Sequence, residues 1–83
     1  GHVDARLNAR IAHWLRGESV LDVGCGFGQL VNFIANKGTK AVGVDMLKEC
    51  VDAGKRKFPD ADIRVQESEA LDFPDKSFDT LIL

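Results

Sequence analysis

The sequence predicts an α/β domain built on a parallel sheet, and three observations predict it. Short apolar segments alternate with amphipathic ones from Ser19 onward, the pattern of strand-helix-strand units. The strand-like segments are mostly apolar rather than alternating, as strands covered on both faces should be. A glycine-rich turn, Gly24-Cys25-Gly26-Phe27-Gly28, joins the first strand to a helix. In open α/β sheets that position lies at the carboxyl end of the sheet, where ligands bind.

From Val3 to Leu15 the apolar positions are Val3, Leu7, Ile11, Trp14 and Leu15. Their spacing draws a helical stripe, with Arg6, Asn8 and Arg10 off it. Gly17 is the expected stop. Ser19 to Val23 reads as a β-branched, apolar strand. Gln29 to Lys37 reads as a second helix, with Leu30, Val31, Phe33 and Ile34 inward and Gly38 ending it. Lys40 to Val44 is the second strand. Leu47 to Lys57 is a third helix, ended by Phe58-Pro59. Asp62 to Gln66 is the third strand, with Ile63 and Val65 on one face. Asp72-Phe73-Pro74-Asp75-Lys76 is a turn-rich connection, and Phe78 to Leu83 is the fourth strand. Strands linked this way form a parallel sheet through right-handed crossovers.

The 83 residues suffice for one small domain. With 45% hydrophobic and 29% charged residues, the composition is that of a globular protein. No apolar run approaches the roughly 20 residues that span a bilayer. Arg6, Arg10 and Arg16 run through the first helix, unlike a secretory leader, so no membrane partner and a cytoplasmic location are expected. The net charge of −2 argues against a nucleic-acid partner. The one basic cluster, Lys55-Arg56-Lys57, ends a helix, where cations offset the helix dipole. Cys25 and Cys50 form no C-x-x-C pair, and with two scattered His they make no metal site. Gly1-His2 reads as a scar of tag removal, which leaves 3–83 as the domain. Thr80-Leu81-Ile82-Leu83 stops within an apolar run, so the domain is expected to be truncated within strand four.

Strand ends are where a ligand would sit, and they carry Asp22, Asp45 and Glu67. Gly24, Gly26 and Gly28 form G-x-G-x-G. A dinucleotide fingerprint, G-x-G-x-x-G, needs glycine at 29, where Gln29 stands, and this disfavours NAD. Asp45, 17 residues after Gly28, can accept hydrogen bonds from ribose hydroxyls. Three carboxylates around one pocket would repel a pyrophosphate and attract a cationic ligand. Cys25, between two glycines and without a basic partner nearby, reads as a packing residue rather than a reactive thiol. His13 reads as a surface residue. Trp14 and Phe33 read as core, and Phe58, Phe73 and Phe78 as packing under loops.

The segment Val20-Leu21-Asp22-Val23-Gly24-Cys25-Gly26-Phe27-Gly28 resembles the glycine motif of class I S-adenosylmethionine-dependent methyltransferases. Val42-Gly43-Val44-Asp45 resembles their ribose-binding strand end, and Glu67 to Asp79 resembles the segment that carries adenine contacts into strand four. The three occur in the family's order and spacing and cover most of the chain from Ser19. The resemblance implies a Rossmann-like doubly wound sheet of which this chain holds four strands, in order 3-2-1-4, with three helices. It implies S-adenosyl-L-methionine as cofactor and a binding set of Asp22, Gly24, Cys25, Gly26, Asp45, Met46, Glu67 and Ser68. The glycine turn would hold the methionine part, and Asp22 its ammonium. Asp45 would hold the ribose and Met46 would pack on adenine. Glu67 and the Ser68 amide would contact the adenine edge. The family commonly has Asp where Glu67 stands and Pro where Asp72 stands.

The function expected is therefore the cofactor-binding part of a methyltransferase acting on a small-molecule acceptor. The alternative is a module that binds the cofactor without turnover. Catalytic residues are not identifiable in these 83 residues. An apolar, exposed strand at 78–83 is expected to pair with another chain, so self-association is expected.

Overall fold

The computed structural model describes residues 18–67 and 78–83. The expected first helix, Ser68 and the 72–76 turn lie outside the described residues. Within them the order is β1 (Ser19–Val23), α1 (Gln29–Asn36), β2 (Lys40–Asp45), α2 (Lys48–Lys57), β3 (Asp62–Val65) and β4 (Thr80–Ile82). All neighbouring strands are parallel, in the order β3-β2-β1-β4. The expected fold class and strand order hold.

Register follows from the side-chain alternation of each strand. Leu21 stands beside Val42 on one side and Leu81 on the other, and Gly43 stands beside Ile63. Val20, Ala41 and Ile63 point to the face covered by Leu30, Val31 and Ile34 of α1 and Val51 of α2. Leu21, Val42 and Val44 point the other way, with Val23 and Phe78 packed against them. Burying one such aliphatic side chain is worth roughly 1.5–3 kcal/mol, so these two clusters hold the sheet between them.

The ends of the elements differ slightly from expectation, each for a local reason. Helix α1 stops at Asn36 because the Lys37 amide donates to Ile34 O, a tightened turn, and Gly38 takes φ 93°. β4 is shorter than 78–83 because Asp79 anchors to the start of β1 instead of extending. Its carboxylate accepts from the Ser19 amide at 2.9 Å and the Ser19 hydroxyl at 3.1 Å. Phe33 is half-buried rather than core. Val65 shares the face of Ile63 yet is 46% exposed, because it lies at the end of the outermost described strand. No helix among the described residues is long and apolar enough to cross a membrane.

Candidate functional site

The first strand delivers the chain into the glycine turn, and β2 holds that turn in place. The Val44 carbonyl accepts from the Gly24 amide at 2.8 Å and the Cys25 amide at 2.9 Å. The next amide, Gly26, donates to Asp45 Oδ2 at 2.9 Å, and the Leu47 amide donates to Asp45 Oδ1 at 2.9 Å. Asp45 thereby ties the glycine turn to the β2–α2 connection. The Gly28 amide closes the turn on Cys25 O at 3.0 Å, and α1 begins at the next residue.

Glycine is required at the end of this turn. Gly28 has φ 82°, and a Cβ there would lie 2.7 Å from Ile63 Cγ2. Gly43 is required for a different reason: a Cβ would lie 2.7 Å from Cys25 Sγ and from Val31 Cγ2. The Cys25 side chain of the turn and Val31 of α1 therefore pack directly on the Gly43 backbone of β2.

A cavity of about 540 Å³ opens at the carboxyl ends of the strands, lined by Val23, Gly24, Asp45, Met46, Leu47, Gln66 and Leu83. Every described strand contributes a residue at or just past its end. The size suits a ligand of nucleoside dimensions. Most of its wall is apolar, and Asp45 is the one charged side chain of the lining. Met46 is 68% exposed, as a wall residue of an open site is.

The expected site residues divide into three groups. Gly24, Asp45 and Met46 line the cavity, and Gly26 is bonded to Asp45 beside it. Asp22 and Cys25 are buried rather than lining. Burial pushes the Asp22 carboxyl above its ordinary value, and the Asp45 carboxylate adds to the effect. Burial likewise pushes the Cys25 thiol up to about 12, with Asp22 and Asp45 contributing. A thiol so held stays protonated, in keeping with a packing role. Glu67 is exposed and not part of the lining, so the three strand-end carboxylates do not converge on the cavity. Ser68 lies outside the described residues. Among the described residues no cluster of three His, Cys, Asp or Glu side chains is arranged to hold a metal.

Sequence reasoning missed Val23, Leu47, Gln66 and Leu83 as lining residues, and it missed Gly54. A Cβ on Gly54, in the middle of α2, would overlap the Phe27 carbonyl oxygen. The signal was a glycine inside an otherwise amphipathic helix, which costs stability unless packing requires it.

Comparison with known proteins agrees with this geometry. The profile described as "Methyltransferase domain" matches residues 20–83. A Mycolicibacterium smegmatis protein named "Probable S-adenosylmethionine-dependent methyltransferase" is 33% identical over 73 residues, covering 88% of this chain and 28% of that protein. A Tropheryma whipplei demethylmenaquinone methyltransferase is 32% identical over 85 residues, covering 87% of this chain and 35% of that one. Among solved structures, a TehB-like SAM-dependent methyltransferase from Corynebacterium glutamicum superposes with a TM-score of 0.74 at 28% identity. That match covers 89% of this chain and 41% of the other. The chain thus spans about a third of the length of these curated relatives. With the profile matched from β1 to the last residue and the sheet order to go with it, the chain belongs to the methyltransferase-domain family, in its S-adenosylmethionine-dependent class.

Proposed function

We propose that residues 3–83 form the cofactor-binding part of an enzyme that transfers a methyl group from S-adenosyl-L-methionine to a small-molecule acceptor. The observation that carries the reading is Asp45, a carboxylate at the end of β2 on the wall of an otherwise apolar cavity. A carboxylate offers about four acceptor sites, and the two backbone amides leave room for ribose hydroxyls. Each hydrogen bond to such a charged acceptor is worth roughly 1.5–3 kcal/mol. Met46, Leu47 and Val23 supply apolar surface for a purine ring. Gly24 and Gly26 bring backbone to the site without side chains in the way. Asp22, buried beneath the turn, and Glu67, Ser68 and Cys25 nearby in the sequence complete the proposed binding set.

When bound, the cofactor supplies a methyl carbon already activated by a sulfonium. The protein's work is then to hold acceptor and methyl in line, which can supply roughly 7–11 kcal/mol in favourable cases. The Tropheryma relative is named for a small-molecule acceptor, demethylmenaquinone, which supports a small-molecule acceptor here. A cytoplasmic setting, without membrane or nucleic-acid partners, belongs to the same reading. So does pairing of the 83-residue chain through its β4 edge, where Leu81 is 58% exposed, a pairing that concentration-dependent sedimentation would reveal.

Titration calorimetry with S-adenosylmethionine and with NAD, on the wild type and Asp45→Ala, tests the proposal. Saturable binding of the first alone, weakened by the substitution, is expected. Binding of NAD, or no binding of either, overturns it. Cofactor binding without methyl transfer by the full-length protein would favour the non-catalytic module.

A further inference from the structure

The cavity wall is built on the glycine turn, and the turn is pinned from its far side by two elements that follow it by many residues. Ile63 of β3 is 1% exposed and wedges between the turn and α2. A Cβ on Gly28 would lie 2.7 Å from Ile63 Cγ2, and a Cβ on Gly54 would lie 2.6 Å from Ile63 Cδ1. The same Gly54 Cβ would overlap the Phe27 carbonyl oxygen and lie 2.8 Å from the Phe27 carbonyl carbon. Helix α2 and the Phe27 peptide therefore touch backbone to backbone. Phe27 immediately follows Gly26, whose amide is latched to Asp45.

We infer that Gly54 is a positioning residue for the glycine turn: the hydrogen it carries in place of a side chain lets α2 set the position of the Phe27 peptide, and through it the Gly26–Asp45 latch at the cavity. The part of this inference that concerns cofactor affinity rests on the proposed function; the part that concerns the turn does not. A methyl group at 54 must reach ordinary carbon–carbon contact, about 3.5 Å, so the Phe27 peptide or α2 moves by at least roughly 0.7 Å for the carbonyl carbon, and further to clear the overlapped oxygen. The Phe27–Gly28 peptide, whose amide is bonded to Cys25 O at 3.0 Å, cannot swing aside as a flexible side chain can. The shift passes to Gly26 and loosens its bond to Asp45.

The test compares the 83-residue wild type with Gly54→Ala, Ile63→Val and Val42→Ala. Ile63→Val deletes the Cδ1 methyl and so opens the seam without a clash, which keeps the inference testable if Gly54→Ala does not fold. Val42→Ala makes a cavity in the cluster on the opposite face of the sheet and controls for general destabilisation. The readouts are the exchange rate of the Gly26 amide without ligand and the Kd for S-adenosylmethionine well below melting. Gly54→Ala is expected to speed Gly26 exchange selectively and to weaken binding about tenfold, with Ile63→Val intermediate and Val42→Ala at wild-type affinity despite a lower melting temperature. Gly26 exchange and affinity in Gly54→Ala within about twofold of wild type would overturn the inference. If the wild type binds no S-adenosylmethionine, the cofactor reading fails while Gly26 exchange alone still decides for or against the seam.

Discussion

Asp45→Asn separates the two jobs of this side chain, because the first can be measured with no ligand present. In the wild type, each carboxylate oxygen accepts one backbone amide, from Gly26 and from Leu47, both at 2.9 Å. Asparagine has one acceptor oxygen and one donor NH2 group. Whichever way it is turned, one backbone amide then faces another donor. A hydrogen bond to a charged acceptor is worth roughly 1.5–3 kcal/mol. Asp45 is half-buried, so water recovers part of that, and a net loss of about 1–2 kcal/mol follows. In a domain of this size each kcal/mol moves the melting temperature by about 4–8 °C. Asp45→Asn should therefore melt roughly 5–15 °C below wild type. The assay is a thermal melt followed by circular dichroism at pH 7. Asp52→Asn serves as control, since its ion pair with Lys48 lies on the surface and should leave melting near wild type. If Asp45→Asn melts with that control, the latch contributes nothing and the reasoning is wrong.

Two further outcomes follow from the buried groups beneath the turn. The folded chain holds the Asp22 proton more tightly than the unfolded chain does, because burial raises this carboxyl from its ordinary 3.8. Its stabilising contribution is full below that ordinary value and is lost as pH rises through the raised one. The stability of wild type relative to Asp22→Asn, measured by urea titration, should thus fall from about pH 4 upward, and a flat difference would refute the assignment. Alkylation with iodoacetamide at pH 8, read by mass spectrometry, should label Cys50, which is partly exposed, and spare Cys25, whose thiol is buried and pushed up to about 12; rapid labelling of Cys25 would show that the turn opens.

The parts of this fold that were legible in the sequence are those written locally. Strand β1, the turn and β2 could be read because apolar runs and glycines state them within a few residues. The position of Asp45 could be read because it directly follows the run Val42-Gly43-Val44. What could not be read depends on what packs against what. Val65 alternates correctly with Ile63 but stands at the end of an outer strand, and sequence periodicity carries no information about which strand is outermost. Glu67 is read from its strand-end position and from the family resemblance; its neighbour Gln66 lines the cavity and Glu67 does not, a difference of one residue that alternation along the chain cannot decide. Gly43 stands inside a strand and Gly54 inside a helix, where the local sequence gives no reason for glycine. Their reason is a contact with the turn, with the Cys25 side chain for Gly43 and the Phe27 backbone for Gly54, some 18 to 27 residues earlier in the chain.

The geometry also changes the reason for preferring one ligand over another. Gln29 disfavours NAD, but the three strand-end carboxylates expected to repel its pyrophosphate do not converge on the cavity. The hydrogen-bond donors of the turn discriminate more sharply. A pyrophosphate at a glycine turn is held by backbone amides pointing at it. Here the Gly24 and Cys25 amides point at the Val44 carbonyl and the Gly26 amide points at Asp45. Three successive donors are engaged with β2 before any ligand arrives, and the charge left on the cavity wall is a carboxylate. These three amides are therefore not available to a phosphate, and the carboxylate beside them suits hydroxyls and a cation. Asp45 is thus the pivot of the discrimination: the carboxylate that would hold a ribose is also the one that turns the Gly26 amide away from an anion.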